Sequence, residues 1–201
     1  MMSFSSLVQS KSARALLALS VLGIPVTAIA AGPGSLTRNI NRGSAFVMER
    51  GATLAPFAHV KFCISNPDQC ERKNGPRLVE FAGSVKAKIM EINRNVNASI
   101  SPVLDAPGKE VWEIDSAQGA CNDYAVTKRK RLIDSGIPSS AVRLAVAKTG
   151  AGEGHAVVVV RTNEGDMVLD NRTNSIVRWD RTDLRWIKIQ ASDDANRWSL
   201  M

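Results

Sequence analysis

The 201-residue sequence predicts an α+β domain. Three observations carry that prediction. Two segments in the middle of the chain place apolar residues three or four apart, the period of a helix. Beyond residue 138 the pattern changes to alternation and to continuous apolar runs. Helices therefore come first and an antiparallel meander follows, which is the order of an α+β fold rather than of alternating βα units.

The first 30 residues read as an export signal. Lys11 and Arg14 give a positive start, an apolar run covers residues 15–26, and Ala28-Ile29-Ala30 fits a small-x-small cleavage site. That run contains Pro25 and is short for a membrane span. The sequence thus predicts an exported protein, periplasmic or secreted, not inserted in a membrane once the leader is removed. Residues 31–201 then form a single domain with enough chain for a sizeable core. Cleavage lowers the net charge from +7 to +5, because the leader holds two basic residues and no acid. The remaining basic residues are scattered, and exported proteins rarely meet nucleic acid, so no nucleic-acid partner is expected. The cluster Lys128-Arg129-Lys130-Arg131 reads as a solvated helix face, with a surface for an acidic partner as the lesser alternative.

Residues 31–56 are rich in Gly, Ser, Thr and Asn and read as an extended arm with room for one short strand. Residues 57–76 hold a cysteine loop, "FCISNPDQC", and end in Asn74-Gly75-Pro76, a helix-entry signal. Leu78, Phe81, Ala82, Val85, Ile89, Ile92 and Val96 then trace one face of a helix over 78–96. Two prolines and a glycine make 101–108 a loop, and 111–114 fits a short strand or turn. A second helix runs over 121–135 and is stopped by Gly136-Ile137-Pro138. Strands follow over 142–147, 155–161, 167–170 and 186–189, with Trp179 and Trp198 as packing nearby.

Export permits disulfides. Cys63 and Cys70 flank a turn-prone Ser-Asn-Pro-Asp core, so a short loop can join them. Cys121 is then the unpaired cysteine and a candidate reactive thiol. The alternatives are that Cys121 pairs with one of the others, or is simply a small buried side chain. Its position favours chemistry. A thiol attacks as its thiolate, which a helix N-terminus and a neighbouring imidazolium both favour. Cys121 opens a helix, and Gly119 and Ala120 before it leave room for a substrate backbone.

A nucleophile needs a base. Of the two histidines, His59 lies in "PFAHVKF" beside the cysteine loop and suits a structural role. His155 follows a glycine-rich run and opens the valine strand, where its ring can face a cleft. Asp170 ends the strand "MVLD" and is a candidate to orient the imidazole. A turn at Glu164-Gly165 would set Asp170 opposite Val159, roughly 13 Å from His155 at strand rise. Direct pairing needs a bend nearer Thr162-Asn163, or a bulge. A zinc site built from these residues lacks a fourth ligand. There is no G-x-S-x-G and no phosphate-cradling glycine loop. No metal and no cofactor are expected.

Three stretches, "CNDYAVTKRKRLIDSGIPSSAVRLAV", "GHAVVVVRTNEGDMVLDN" and "RWIKIQ", resemble the bacterial transglutaminase-like cysteine peptidases, which include periplasmic proteases that clip biofilm adhesins. The resemblance covers about residues 57 to 190. It implies a papain-like or transglutaminase-like fold, with the helix that carries the nucleophile packed on an antiparallel sheet. It also implies Cys121 as nucleophile, His155 as general base and acid, and Asp170 as the orienting acid. The oxyanion would take the Cys121 backbone N–H, with Gln118 the candidate second donor. Members that use calcium carry acids on both sides of the nucleophile. Here Ala120 and Asn122 stand there, so no calcium dependence is expected.

The leading expectation is an exported thiol protease or amidase acting on a protein of the cell envelope or surface. A transglutaminase-type acyltransferase would share its thioester intermediate. A non-catalytic periplasmic binding module on the same fold is the reading from another class.

Overall fold

The computed structural model describes residues 44–71, 75–106 and 108–201. The expected leader and the 31–43 part of the expected arm lie outside the described residues, as does Asn74 of the helix-entry signal.

In chain order the elements begin with β1 (Ala52–Thr53), α1 (Phe57–Ser65), α2 (Pro67–Cys70) and α3 (Gly83–Ser99). A short parallel pair follows, β2 (Ser101–Pro102) with β3 (Gln118–Gly119), and then α4 (Cys121–Asp134). The meander comprises β4 (Val142–Lys148), β5 (Gly154–Thr162), β6 (Gly165–Leu169), β7 (Val177–Arg178), β8 (Arg185–Gln190) and β9 (Trp198–Leu200). These strands and β1 make one sheet in the order β1-β9-β8-β4-β5-β6-β7, with every neighbouring pair antiparallel.

The valine run explains why β5 is central. Val158 and Val160 belong to the larger core cluster, with Ala125, Val126 and Leu132 of α4 and Ile89 of α3. Val157 and Val159 join a second cluster with Ala145, Ala147, Val168 and Ile189. A strand covered on both faces needs apolar residues at every position, which is why the run does not alternate.

Three elements differ from expectation. The cysteine loop is mostly helical: α1 and α2 meet at Asn66, and Cys63 and Cys70 are joined in a disulfide with Cα atoms 5.5 Å apart. The helix expected from residue 78 begins at Gly83 instead. Val79 pairs with the end of β5, giving its N–H to the Arg161 carbonyl and accepting the Asn163 N–H, and the Asn163 side chain takes the Phe81 N–H at 2.8 Å. Those tertiary bonds hold residues 79–81 extended, and Gly83, at φ +49°, makes the bend into the helix. Residues 111–114 form no strand. They run past α4 as irregular chain anchored by Glu113, whose N–H is held by Asp123.

The basic cluster on α4 is not a solvated face. Lys130 and Arg131 are partly exposed and pair with Asp134 and Asp115, but Lys128 and Arg129 are 1% and 5% exposed. Four consecutive helical positions sweep most of the way round the axis, so two of them must enter the packing. Arg129 donates to the Gln69 carbonyl at 2.8 Å.

Candidate active site

Cys121 is the first residue of α4 and, among the described residues, the free cysteine. The helix start beneath it is tightly held. The Asp123 carboxylate accepts the Ala120 N–H at 2.8 Å and the Glu113 N–H at 2.7 Å. Tyr124 gives its hydroxyl proton to the Ile100 carbonyl at 2.6 Å, and Asn122 gives its amide to the Val111 carbonyl. Gly119 is required by this arrangement, because a Cβ there would stand 2.7 Å from the Asp123 Cβ. The glycine that sequence reasoning assigned to substrate access thus also admits the Asp123 side chain.

Two groups of β5 face the sulfur. The Ala156 backbone N–H points at Cys121 Sγ, 3.4 Å away, and the His155 ring lies close enough to that sulfur for it to favour a charged imidazole. On its other side the ring meets Asp170, with Nε2 2.9 Å from Oδ1. Nε2 is committed to the carboxylate, so Nδ1 is the nitrogen left for sulfur. Both side chains are buried, His155 at 6% and Asp170 at 4% exposure.

The strand register accounts for the contact. The β5–β6 ladder pairs Val158 with Leu169 and Thr162 with Gly165, so the turn spans Asn163-Glu164. Continued one step, it sets Asp170 beside Val157, two residues from His155. Diagonal cross-strand neighbours are within reach of long side chains. Neither the tight turn at Glu164-Gly165 nor a bulge describes this hairpin.

Charge is distributed accordingly. Burial opposes a charged His155, but its bond to Asp170 and the nearby Cys121 sulfur outweigh that, and its pKa is pushed up to about 9. Burial would raise Asp170, yet the bonds from His155 and Arg172 hold its carboxyl well below the usual carboxylate range. Sequence reasoning missed Arg172. It grips Asp170 Oδ2 through Nε at 3.0 Å and Nη2 at 2.8 Å, and its N–H donates to Oδ1 at 2.9 Å. Asp183 holds the far side of the guanidinium. From α3, the Asn97 amide donates to the Asp170 carbonyl at 3.2 Å. The signal for Arg172 was its place two residues after an acid at a strand end, where local side-chain to backbone bonds are common.

Cys121 and His155 open onto a cleft of about 700 Å³, walled by Val103, Leu104, Trp112 and Ala156. Gln118 lies on β3, exposed, and outside the residues that line the cleft. His59 is remote in role. It is buried among the rings of Phe62, Trp112 and Trp198, takes a 3.0 Å contact from the Gln190 amide, and is lowered to about 4 by burial and by Arg129. It therefore stays neutral at physiological pH. Among the described residues, the His/Cys/Asp/Glu group with metal-ligand spacing is His59, Cys63 and Cys70, and both of its sulfurs are spent in the disulfide.

A thiol at a helix start facing an imidazole that is braced by a carboxylate defines a class of protein, the thiol hydrolases and acyltransferases of the papain and transglutaminase type. The chain belongs to the bacterial transglutaminase-like cysteine proteinases, whose family model matches residues 49–201. Its fold is similar to that of Legionella pneumophila LapG. The calcium-bound form is 22% identical, with a TM-score of 0.51 over 58% of this chain and 68% of that one. The EGTA-treated form is also 22% identical, with a TM-score of 0.51 over 58% and 67%. No curated protein sequence matches the chain.

Proposed function

We propose that this protein is an exported cysteine protease or amidase that hydrolyses a peptide bond of an envelope or surface protein through Cys121, His155 and Asp170. The observation that carries the reading is that a His155 ring bonded to Asp170 and the Cys121 sulfur, which takes the N–H of the next residue Ala156, line the same cleft. The family membership supports the reaction class.

The proposed chemistry follows from the geometry. The Cys121 thiolate adds to a peptide carbonyl, and its proton resides on His155. The helix-start N–H of Cys121 lacks an intrahelical partner and faces the developing oxyanion. His155, charged up to about pH 9, gives its proton to the leaving amine. The neutral imidazole then takes a proton from water, which adds to the thioester and releases the carboxylate product. Asp170, fixed by Arg172, keeps the ring from rotating throughout. Amine in place of water would give acyl transfer, and no residue of the cleft singles out an amine.

The boundaries proposed from sequence, a leader over 1–30 and one domain over 31–201, belong to this reading. So does independence from calcium. The donors flanking the nucleophile do not suit a hard cation: Ala120 offers no oxygen side chain, the Asn122 amide is turned to the Val111 carbonyl, and both Asp123 oxygens accept backbone N–H groups. EGTA is expected to leave activity and Cys121 reactivity unchanged, and a loss on chelation restored by calcium would overturn that point.

The test of function compares envelope and secreted proteins from cells carrying wild type or Cys121→Ser by N-terminal proteomics. Termini present only with wild type identify cleavage sites. Identical termini in both, together with an inert purified enzyme, would refute the proposal in favour of a binding module.

A further inference from the structure

We propose that the cleft selects peptide segments with Lys or Arg close to the bond to be cut, through Asp105, Glu110 and Glu153. The inference rests on the function proposed above and names the substrate class of that site. All three acids line the cleft onto which Cys121 and His155 open, and all three are exposed. They come from two walls. Asp105 and Glu110 belong to the loop between β2 and β3. Glu153 belongs to the turn between β4 and β5, two residues before His155.

The fold does not use their charge. Among the described residues, the Asp105 and Glu153 carboxylates have no ion-pair partner and no hydrogen-bond donor. Glu110 accepts the Trp112 indole N–H at 2.8 Å, a neutral donor that leaves its charge in place. The cationic groups on the same lining are His155 and Arg172. Asp170 and Asp183 hold those two, so they balance none of the three acids. Lys109 lies between Asp105 and Glu110 in sequence but outside the lining. Lys and Arg outnumber Asp and Glu by 26 to 19 in the chain, so an acid excess here runs against the composition.

The rest of the lining suits an extended peptide. Val103 and Leu104 stand beside the acids, 49% and 91% exposed. Thr149 also lines the cleft, and its buried hydroxyl has no hydrogen-bond partner. A Lys or Arg stem covers apolar surface while its head stays polar, which fits an apolar wall edged with carboxylates. A cleft of one charge sign also concentrates ligands of the other. Carboxylates attract Lys and Arg alike, so the preference concerns sequence and does not choose between water and an amine acceptor.

The experiment modifies Cys121 in the full chain with two methanethiosulfonates, one bearing a trimethylammonium group and one a sulfonate, at about pH 7 and low ionic strength. The cationic-to-anionic rate ratio is divided by that of 2-mercaptoethanol. Asp105→Asn, Glu110→Gln and Glu153→Gln combined should lower this ratio about tenfold, and the difference should largely vanish in about 1 M salt. Glu164→Gln, at the opposite end of β5, should leave the ratio unchanged. Equal ratios in wild type and the triple variant overturn the proposal. So does a difference that survives salt, because altered shape and not charge then causes it. Digestion of a proteome-derived peptide library should show Lys or Arg enriched beside the cut bonds, less so with the triple variant. No enrichment, or the same enrichment with both enzymes, also overturns it. Where no peptide is cut, the reagent ratio decides alone. Failure of the parent reading looks different: no peptide is cut, and wild-type Cys121 reacts with iodoacetamide in acid no faster than 2-mercaptoethanol.

Discussion

Replacing Asp170 with Asn tests the electrostatics of the site directly. The substitution keeps the shape but removes the charge that faces His155 Nε2 at 2.9 Å. His155 is raised from 6.5 to about 9 although burial pushes the other way. That net shift corresponds to about 3 kcal/mol of preference for the charged ring. A group whose folded pKa is raised contributes stability that is fully present below its unfolded value. Here that contribution is complete below pH 6.5 and is lost as pH rises through about 9. Wild type should therefore lose up to about 3 kcal/mol of unfolding free energy across that window, and Asp170→Asn should lose much less. NMR resolves the cause, because the chain has two histidines and His59 titrates far away, at about 4. The imidazole signal of His155 should titrate near pH 9 in wild type and clearly lower in the variant, where Cys121 alone is left to oppose burial. A His155 that titrates near 9 in both proteins would refute the assignment of Asp170 as its partner.

Two further outcomes follow from the supports of the site. Gly119→Ala drives a methyl group into the Asp123 side chain, and should cost about 1–3 kcal/mol in urea unfolding and slow alkylation of Cys121. Replacing Cys63 and Cys70 together by Ala opens a short loop and should cost about 2.5 kcal/mol by chain entropy, read as a lower urea midpoint, with Cys121 reactivity retained.

The sequence was most legible where one period ran long enough. The 3.6-residue spacing located α3 and α4, and the unbroken valines marked β5 as a strand covered on both faces. The start of α3 was hidden because Val79 and Phe81 are held by the Asn163 turn, more than 80 residues away in the chain. Strands of two or three residues, such as β1, β7 and β9, are too short to show alternation. At the site, Cys121, His155 and Asp170 stood out as residue types at element ends. Their register depended on where the β5–β6 turn falls, and Gly165, at φ +114°, lies just after that turn rather than in its centre. Burial of Lys128 and Arg129 broke the rule that a basic run is solvated. Only the packing of α4 against α3 and β5 reveals it.

β5 carries His155, lies between β4 and β6, and is sealed on both faces by the two core clusters. Segments of that kind open only when the whole molecule opens. The amides of Val158 to Val160, paired with β4 on one side and β6 on the other, should accordingly exchange with deuterium as slowly as the most protected amides in the protein. Heat should then abolish thiol reactivity and native structure in a single transition, with no folded but disarmed form between them.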